Sequence, residues 1–170
     1  MAMPPMSPIR RGVAQLNYFD LLVEQVTPFF KENGIELDFS GYRELERIFG
    51  SLKMEDAESS WELARRANAW SEYFSDLKNL TKKYLADTEA EKLKIFAIAS
   101  TTADVEKVAN GNRLADKDEN VVAIRRIRNG LEAFYEALEA KVEYLERMHY
   151  FCKSTCEWGA KASISKRNEQ

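Results

Sequence analysis

The chain has 170 residues, 45% hydrophobic and 31% charged, with a formal net charge of −3. That balance suits one soluble globular domain, or a small head joined to a long helical element, and no apolar run approaches the ~20 residues a membrane-spanning helix needs. Two cysteines, Cys152 and Cys156, exclude a disulfide framework, and a single histidine, His149, excludes most histidine-dependent catalysis and most zinc chemistry.

Residues 1–9 carry three of the four prolines, Pro4, Pro5 and Pro8, and read as a disordered leader without the apolar stretch of a secretory signal. This start predicts a cytoplasmic protein. Residues 10–53 predict two short helices. The first covers about Val13 to Lys31, with Leu16, Phe19, Val23 and Val26 on one face. Pro28 should kink or restart it, and Asn33-Gly34 should end it through a left-handed C-cap. The second runs from about Ser40 to Phe49, turning Tyr42, Leu45, Ile48 and Phe49 inward, with Gly50 as its stop.

Residues 54–159 predict a long helical hairpin. From Met54 to Trp158 there is no proline, and strong helix formers dominate. No segment alternates with period two for long enough to form a strand, so the fold class is all-α. The first long helix runs toward Asn110 with a seam of 4-3 spacing: Leu63, Ala67, Trp70, Phe74, Leu77, Thr81, Tyr84, Thr88, Glu91, Ile95, Ile98. Asn110-Gly111 should stop it, leaving a polar turn over Asn112 to Asp116. Asp118 is an N-cap for the second helix, whose seam is Ile124, Ile127, Leu131, Phe134, Leu138, Lys141, Leu145, Met148, Cys152. Gly159 should end that helix, and residues 160–170 read as a disordered basic tail.

With Ile124 as heptad position a, the e positions are Val121, Arg128, Tyr135, Val142, His149 and Cys156. The g positions are Ala123, Gly130, Ala137, Tyr144, Phe151 and Trp158. A hairpin needs only a and d apolar, so the second helix must bury two flanks as well as its seam. It is about 60 Å long, more than the short N-terminal helices should cover. The simplest occupant is a neighbouring subunit, which predicts a homo-oligomer with Tyr135, Val142, Tyr144, Phe151 and Trp158 at the interface.

No phosphate-binding loop, dinucleotide glycine pattern, metalloprotease signature, paired Cys-x-x-Cys or nucleophile elbow occurs. No catalytic residue, cofactor or metal is assigned, and the protein reads as non-enzymatic. His149, Cys152 and Cys156 share one side of a helix, but a closed zinc site needs four ligands. They read instead as buried thiols and one interface histidine. The basic residues are grouped. Lys107, Arg113, Lys117, Arg125, Arg126 and Arg128 gather at the hairpin tip; Lys78, Lys82 and Lys83 lie near Tyr73 and Tyr84; Arg147, Lys153, Lys161, Lys166 and Arg167 load the end. Cations along phosphates with aromatic platforms are what single-stranded nucleic acid requires, although acidic residues interrupt each group.

Between Ala67 and Trp158 the chain resembles phage recombination mediator proteins of the UvsY type. The resemblance rests on Asn68-Ala69-Trp70, on Glu89 to Lys92, and on Leu114-Ala115-Asp116-Lys117-Asp118. It implies a small oligomeric helical protein, in the host cell cytoplasm if phage-encoded, that helps load a recombinase onto single-stranded DNA. The N-terminal segment of about 55 residues and the negative net charge depart from that pattern. Two functions follow. One is a non-enzymatic accessory protein that binds single-stranded DNA and recombination or replication partners, through Arg113, Lys117, Arg125, Arg126, Arg128, Lys82 and Lys83. The other is a helical protein–protein interaction module, an inhibitor or adaptor of a host or phage machine.

Overall fold

The structure, a computed structural model, describes residues 17–51, 57–102 and 108–168. Five helices and no strand occur among these: α1 (Tyr18–Glu32), α2 (Ser40–Gly50), α3 (Ala57–Thr102), α4 (Val108–Ala115) and α5 (Glu119–Asn168). The all-α expectation holds. The long helices α3 and α5 pack side by side, and the ion pairs Lys78–Glu139 and Glu89–Arg128 that join them fix an antiparallel hairpin. The leader over 1–9 and the first turn expected near Val13 lie outside the described residues.

α1 starts where Asn17 accepts a hydrogen bond from the Phe19 amide at 3.2 Å, satisfying one of the free donors of the first turn. It ends as its sequence predicts. Gly34 takes φ +76°, its amide donates to the Lys31 carbonyl, and Ile35 donates to Phe30. Pro28, expected to kink or restart the helix, does not interrupt it. Its ring removes one donor on an exposed face, where water can serve the orphaned carbonyl. Phe29 and Phe30, just beyond it, are held edge-on against Tyr84 and, for Phe30, Phe134. After the turn the chain doubles back to α2, which buries Tyr42 and Leu45. Gly41 lets α2 approach α3, for a Cβ there would lie 2.9 Å from the Trp70 ring.

α1 packs on α5 and α2 on α3, so the two short helices lie over the hairpin's middle and open end. One core results. Phe19, Phe30, Tyr42 and Leu45 from the short helices meet Leu63, Ala67, Phe74 and Leu77 of α3 and Leu131, Phe134, Leu138, Leu145 and Cys152 of α5. Each large apolar side chain buried there contributes about 1.5–3 kcal/mol. None of the described residues between 89 and 130 belongs to this cluster.

That boundary explains where the expected seam fails. Ile127, assigned inward, is 39% exposed, whereas Val121 is buried and Arg128 reaches Glu89 of α3. Gln25 of α1 packs against Gly130, and beyond that point no short helix covers α5. Only the stripe facing α3 stays buried there. On α3, Glu91 and Ile98 also leave the seam, because a straight helix lags a strict heptad by about 20° per repeat. Asn110-Gly111 does not stop a helix either; it lies within α4. The local turn preference of Asn-Gly is worth about 1 kcal/mol. Packing of α4 on α3, with Gly111 and Ala115 buried, outweighs it. The turn falls at Asp116-Lys117, and Asp118 then caps α5 as expected, accepting from the Asn120 and Val121 amides at 2.9 and 3.3 Å. At the far end α5 continues through Gly159 to Asn168 where a disordered tail was expected. A lone mid-helix glycine costs only about 1 kcal/mol, and no proline or competing cap follows.

Candidate functional site

Of the six cations expected at the tip, the five described ones do not act as one cluster. Arg128 turns inward, donating to Glu89 of α3 at 3.1 Å and to Glu132 one turn along at 2.7 Å. Lys92 and Arg128 together hold the Glu89 carboxyl below the usual glutamate range, mainly through the Lys92 hydrogen bond. Arg125 pairs with Asp116 at 2.5 Å and lies over the Phe96 ring. These two arginines are therefore neutralised within the hairpin. Arg113, Lys117 and Arg126 stay exposed and form no ion pair among the described residues. Lys82 and Lys83 are exposed too, but they sit on α3 beside Thr81, seven and six residues before Glu89, the partner of Arg128. Lys107 lies outside the described residues.

The residues expected at an oligomer interface separate into covered and bare. Val142 is buried within its own chain at 8% exposure, and Tyr135 is half-buried. Tyr144 packs against the core, where burial first and then Glu46 push its hydroxyl pKa up. Phe151 meets Phe49 of α2 edge-on but stays 40% exposed. The short helices thus cover more of α5 than its length suggested. One heptad past Phe151, Trp158 is 76% exposed. Apolar side chains are also exposed toward the tip: Ile98 at 65%, Leu93 at 61%, Leu114 at 49% and Ile127 at 39%.

Lys141, a lysine in an otherwise apolar seam, belongs to a network that sequence reasoning missed. Its ammonium donates to the Tyr42 hydroxyl at 2.8 Å and to Glu46 at 3.1 Å, and Tyr42 donates to the same carboxylate. The rings of Phe19, Tyr42 and Tyr144 surround it at 4.9–5.8 Å. Burial and the Glu46 bond push the Tyr42 hydroxyl far above its ordinary value. The signal was present, since a charge at a d position needs a partner; the partner lies 95 residues away. This network fastens α2 to α5.

His149 is held by the backbone of α3. Its Nδ1 donates to the Ala64 carbonyl at 2.9 Å, fixing the ring between α3 and α5. Cys152 is buried, which pushes its thiol up, and no group of three or more metal-ligating side chains occurs among the described residues. No helix there is long and apolar enough to cross a membrane. Comparisons with protein-family models, with curated proteins and with solved structures find no match for this chain.

Proposed function

We propose that this chain is a non-catalytic helical interaction module, the adaptor-type reading, which engages a protein partner along the parts of its hairpin that its own short helices leave bare. One observation carries this reading. Ile98, Leu93 and Trp158 are more than half exposed on helices whose other large apolar residues lie mostly in the core. Aromatic and aliphatic anchors of this kind dominate binding energy at interfaces. A second copy is the simplest partner, which keeps the homo-oligomer within the proposal. Sedimentation of the wild type and of Leu93→Glu/Ile98→Glu tests it. The variant should sediment as a smaller species with unchanged helicity. A wild type that stays monomeric to high concentration, and captures no partner through these residues, would refute it.

A second reading, single-stranded DNA binding in support of a recombinase, is favoured by Arg113, Lys117, Arg126, Lys82 and Lys83, which are exposed and form no ion pair among the described residues. A mobility shift of labelled single-stranded DNA at low and high salt decides it. Arg126→Glu/Lys117→Glu should weaken the shift and lower the salt slope by about 0.7 for each lost phosphate contact. Unaltered affinity would leave the protein-partner reading alone.

A further inference from the structure

The aromatic cluster around the start of α1 has one open edge. Phe39, Tyr42 and Phe74 are buried, but Trp70 is half-buried and Tyr73 is 37% exposed. With Ala69 they line a shallow apolar groove of about 220 Å³ on the flank of α3. Its walls are already fixed. The Trp70 and Tyr73 rings stand edge to face at 5.3 Å, Trp70 meets Tyr42 at 5.9 Å, and Tyr73 meets Phe39 at 6.2 Å. Aromatic grooves take Pro-x-x-Pro segments, because proline presets the extended polyproline II helix and little conformational entropy is lost on docking. A carboxylate stands beside this one. Asp38 is exposed, forms no ion pair among the described residues, and lies close enough to Tyr73 to help burial raise its hydroxyl pKa. Arg43, the cation near it on α2, is committed to Asp20 at 2.8 Å.

The chain carries a matching segment. Pro5-Met6-Ser7-Pro8-Ile9-Arg10-Arg11 has Pro-x-x-Pro spacing followed by two arginines. The described residues begin at Asn17, the cap of α1. Phe19 lies 5.2 Å from Phe39, which itself touches Tyr73, so one ring separates the start of α1 from the groove. The six residues from Arg11 to Asn17 can span about 20 Å, ample for that distance. Order agrees as well as reach. Followed back from Asn17, the arginines come first, level with Asp38; Pro8 follows, and Pro5 lies about 9 Å further along a polyproline II helix, as Trp70 follows Tyr73.

We propose that this groove is the docking site of the chain's own residues 5–11, with Pro8 and Pro5 on Tyr73 and Trp70 and the arginines against Asp38. The site is separate from Leu93, Ile98 and Trp158 and stands without the interface proposed above. Nitrogen-proton NMR spectra of the full chain test it, with the indole resonances of Trp61, Trp70 and Trp158 assigned by Trp→Phe substitution. Pro5→Gly/Pro8→Gly should move the Trp70 resonance and leave the other two in place. A peptide of residues 1–11 should bind this variant and return the resonance to its wild-type position. The wild type should need at least about 10-fold more peptide, because a short tether holds its own segment at about millimolar effective concentration. A peptide carrying Arg10→Glu/Arg11→Glu should bind several-fold more weakly, and Asp38→Asn, which keeps a capping side chain for α2, should remove most of that difference. An unmoved Trp70 resonance in the proline variant overturns the proposal, as does equal peptide affinity for variant and wild type. A wild-type Trp70 position that changes on dilution also overturns it, assigning the groove to the leader of a second copy.

Discussion

The middle of the hairpin and its tip are built from the same two helices, yet they are held by different forces. In the middle, α1 and α2 close over α3 and α5, and the rings of Phe19, Phe30, Tyr42, Phe74 and Phe134 pack edge to face or stacked at 5–6.4 Å. At the tip, among the described residues, α3, α4 and α5 meet over a few small buried side chains such as Ala115 and Val121, and the polar ties are Glu89 with Arg128 and Lys92 and Arg125 with Asp116. Burial of apolar area is worth several kcal/mol per side chain, whereas partly exposed ion pairs contribute about 0–1 kcal/mol each and are screened by salt. Stability should thus be concentrated in the covered half. The tip should be the end that opens first, and it carries Leu93, Ile98, Leu114 and exposed cations, whereas Trp158 lies bare at the opposite end.

The sharpest way to break this contrast is truncation. Phe134→Ala, at a fully buried ring touching both Phe19 and Phe30, should cost about 3–5 kcal/mol in urea unfolding. Ile127→Ala, only seven residues earlier, should stay within about 0.5 kcal/mol. Similar losses at the two sites would mean that the tip is packed as tightly as the middle.

Next in size are the devices that fasten α2. Lys141→Met leaves the Tyr42–Glu46 pair without its cation and should destabilise by about 1–3 kcal/mol. Lys78→Met, across an exposed pair, should lose at most about 1 kcal/mol. Gly41→Ala drives a methyl into the Trp70 ring and should cost about 1–3 kcal/mol, visible as altered tryptophan fluorescence. A stable Gly41→Ala protein with unchanged emission would show that α2 does not approach α3 this closely. Val142→Glu belongs with these changes. Because Val142 is covered by its own chain, the substitution should unfold the covered half before it separates subunits.

How much of this was legible in the sequence follows the same division. Asn33-Gly34, Asp118 and the long proline-free helices were readable because their signals are local: a left-handed glycine, a capping carboxylate and helix-forming composition. Heptad phase placed Leu131, Phe134, Leu138 and Leu145 inward correctly, where partners exist on every side. It misplaced Ile127 and Ile98, because phase alone does not say where α1 ends. The Lys141 network depends on side chains tens of residues away, which no periodicity reports. Arg125 and Arg128 looked like solvent or interface cations for the same reason. Their partners, Asp116 and Glu89, are set by the turn and the hairpin's alignment.

The smallest expected effect is electrostatic. Because the Glu89 carboxyl is held below the ordinary range, its contribution is present above about pH 4.3 and is lost as pH falls through its lower folded value. A carboxyl resonance of Glu89 titrating with a midpoint below that of a free glutamate, alongside faster amide exchange at the tip in acid, is the expected result. A midpoint at or above the free value would remove Lys92 and Arg128 from the tip's stability.

The Glu89–Arg128 pair also bears on alignment. Two ion pairs cross the hairpin among the described residues, and Lys78 and Glu89 are eleven residues apart on α3, as Arg128 and Glu139 are on α5. A slide of one heptad in either direction would keep most apolar positions matched, the ambiguity inherent in any repeating seam. It would bring Lys78 opposite Glu132 or Glu146, carboxylates that could replace Glu139. Glu89 would meet Val121 or Tyr135 and lose its arginine. Of the two pairs, only Glu89–Arg128 therefore distinguishes one alignment of the long helices from its neighbours. A charge worth little to stability can decide which of several nearly equivalent hairpins forms.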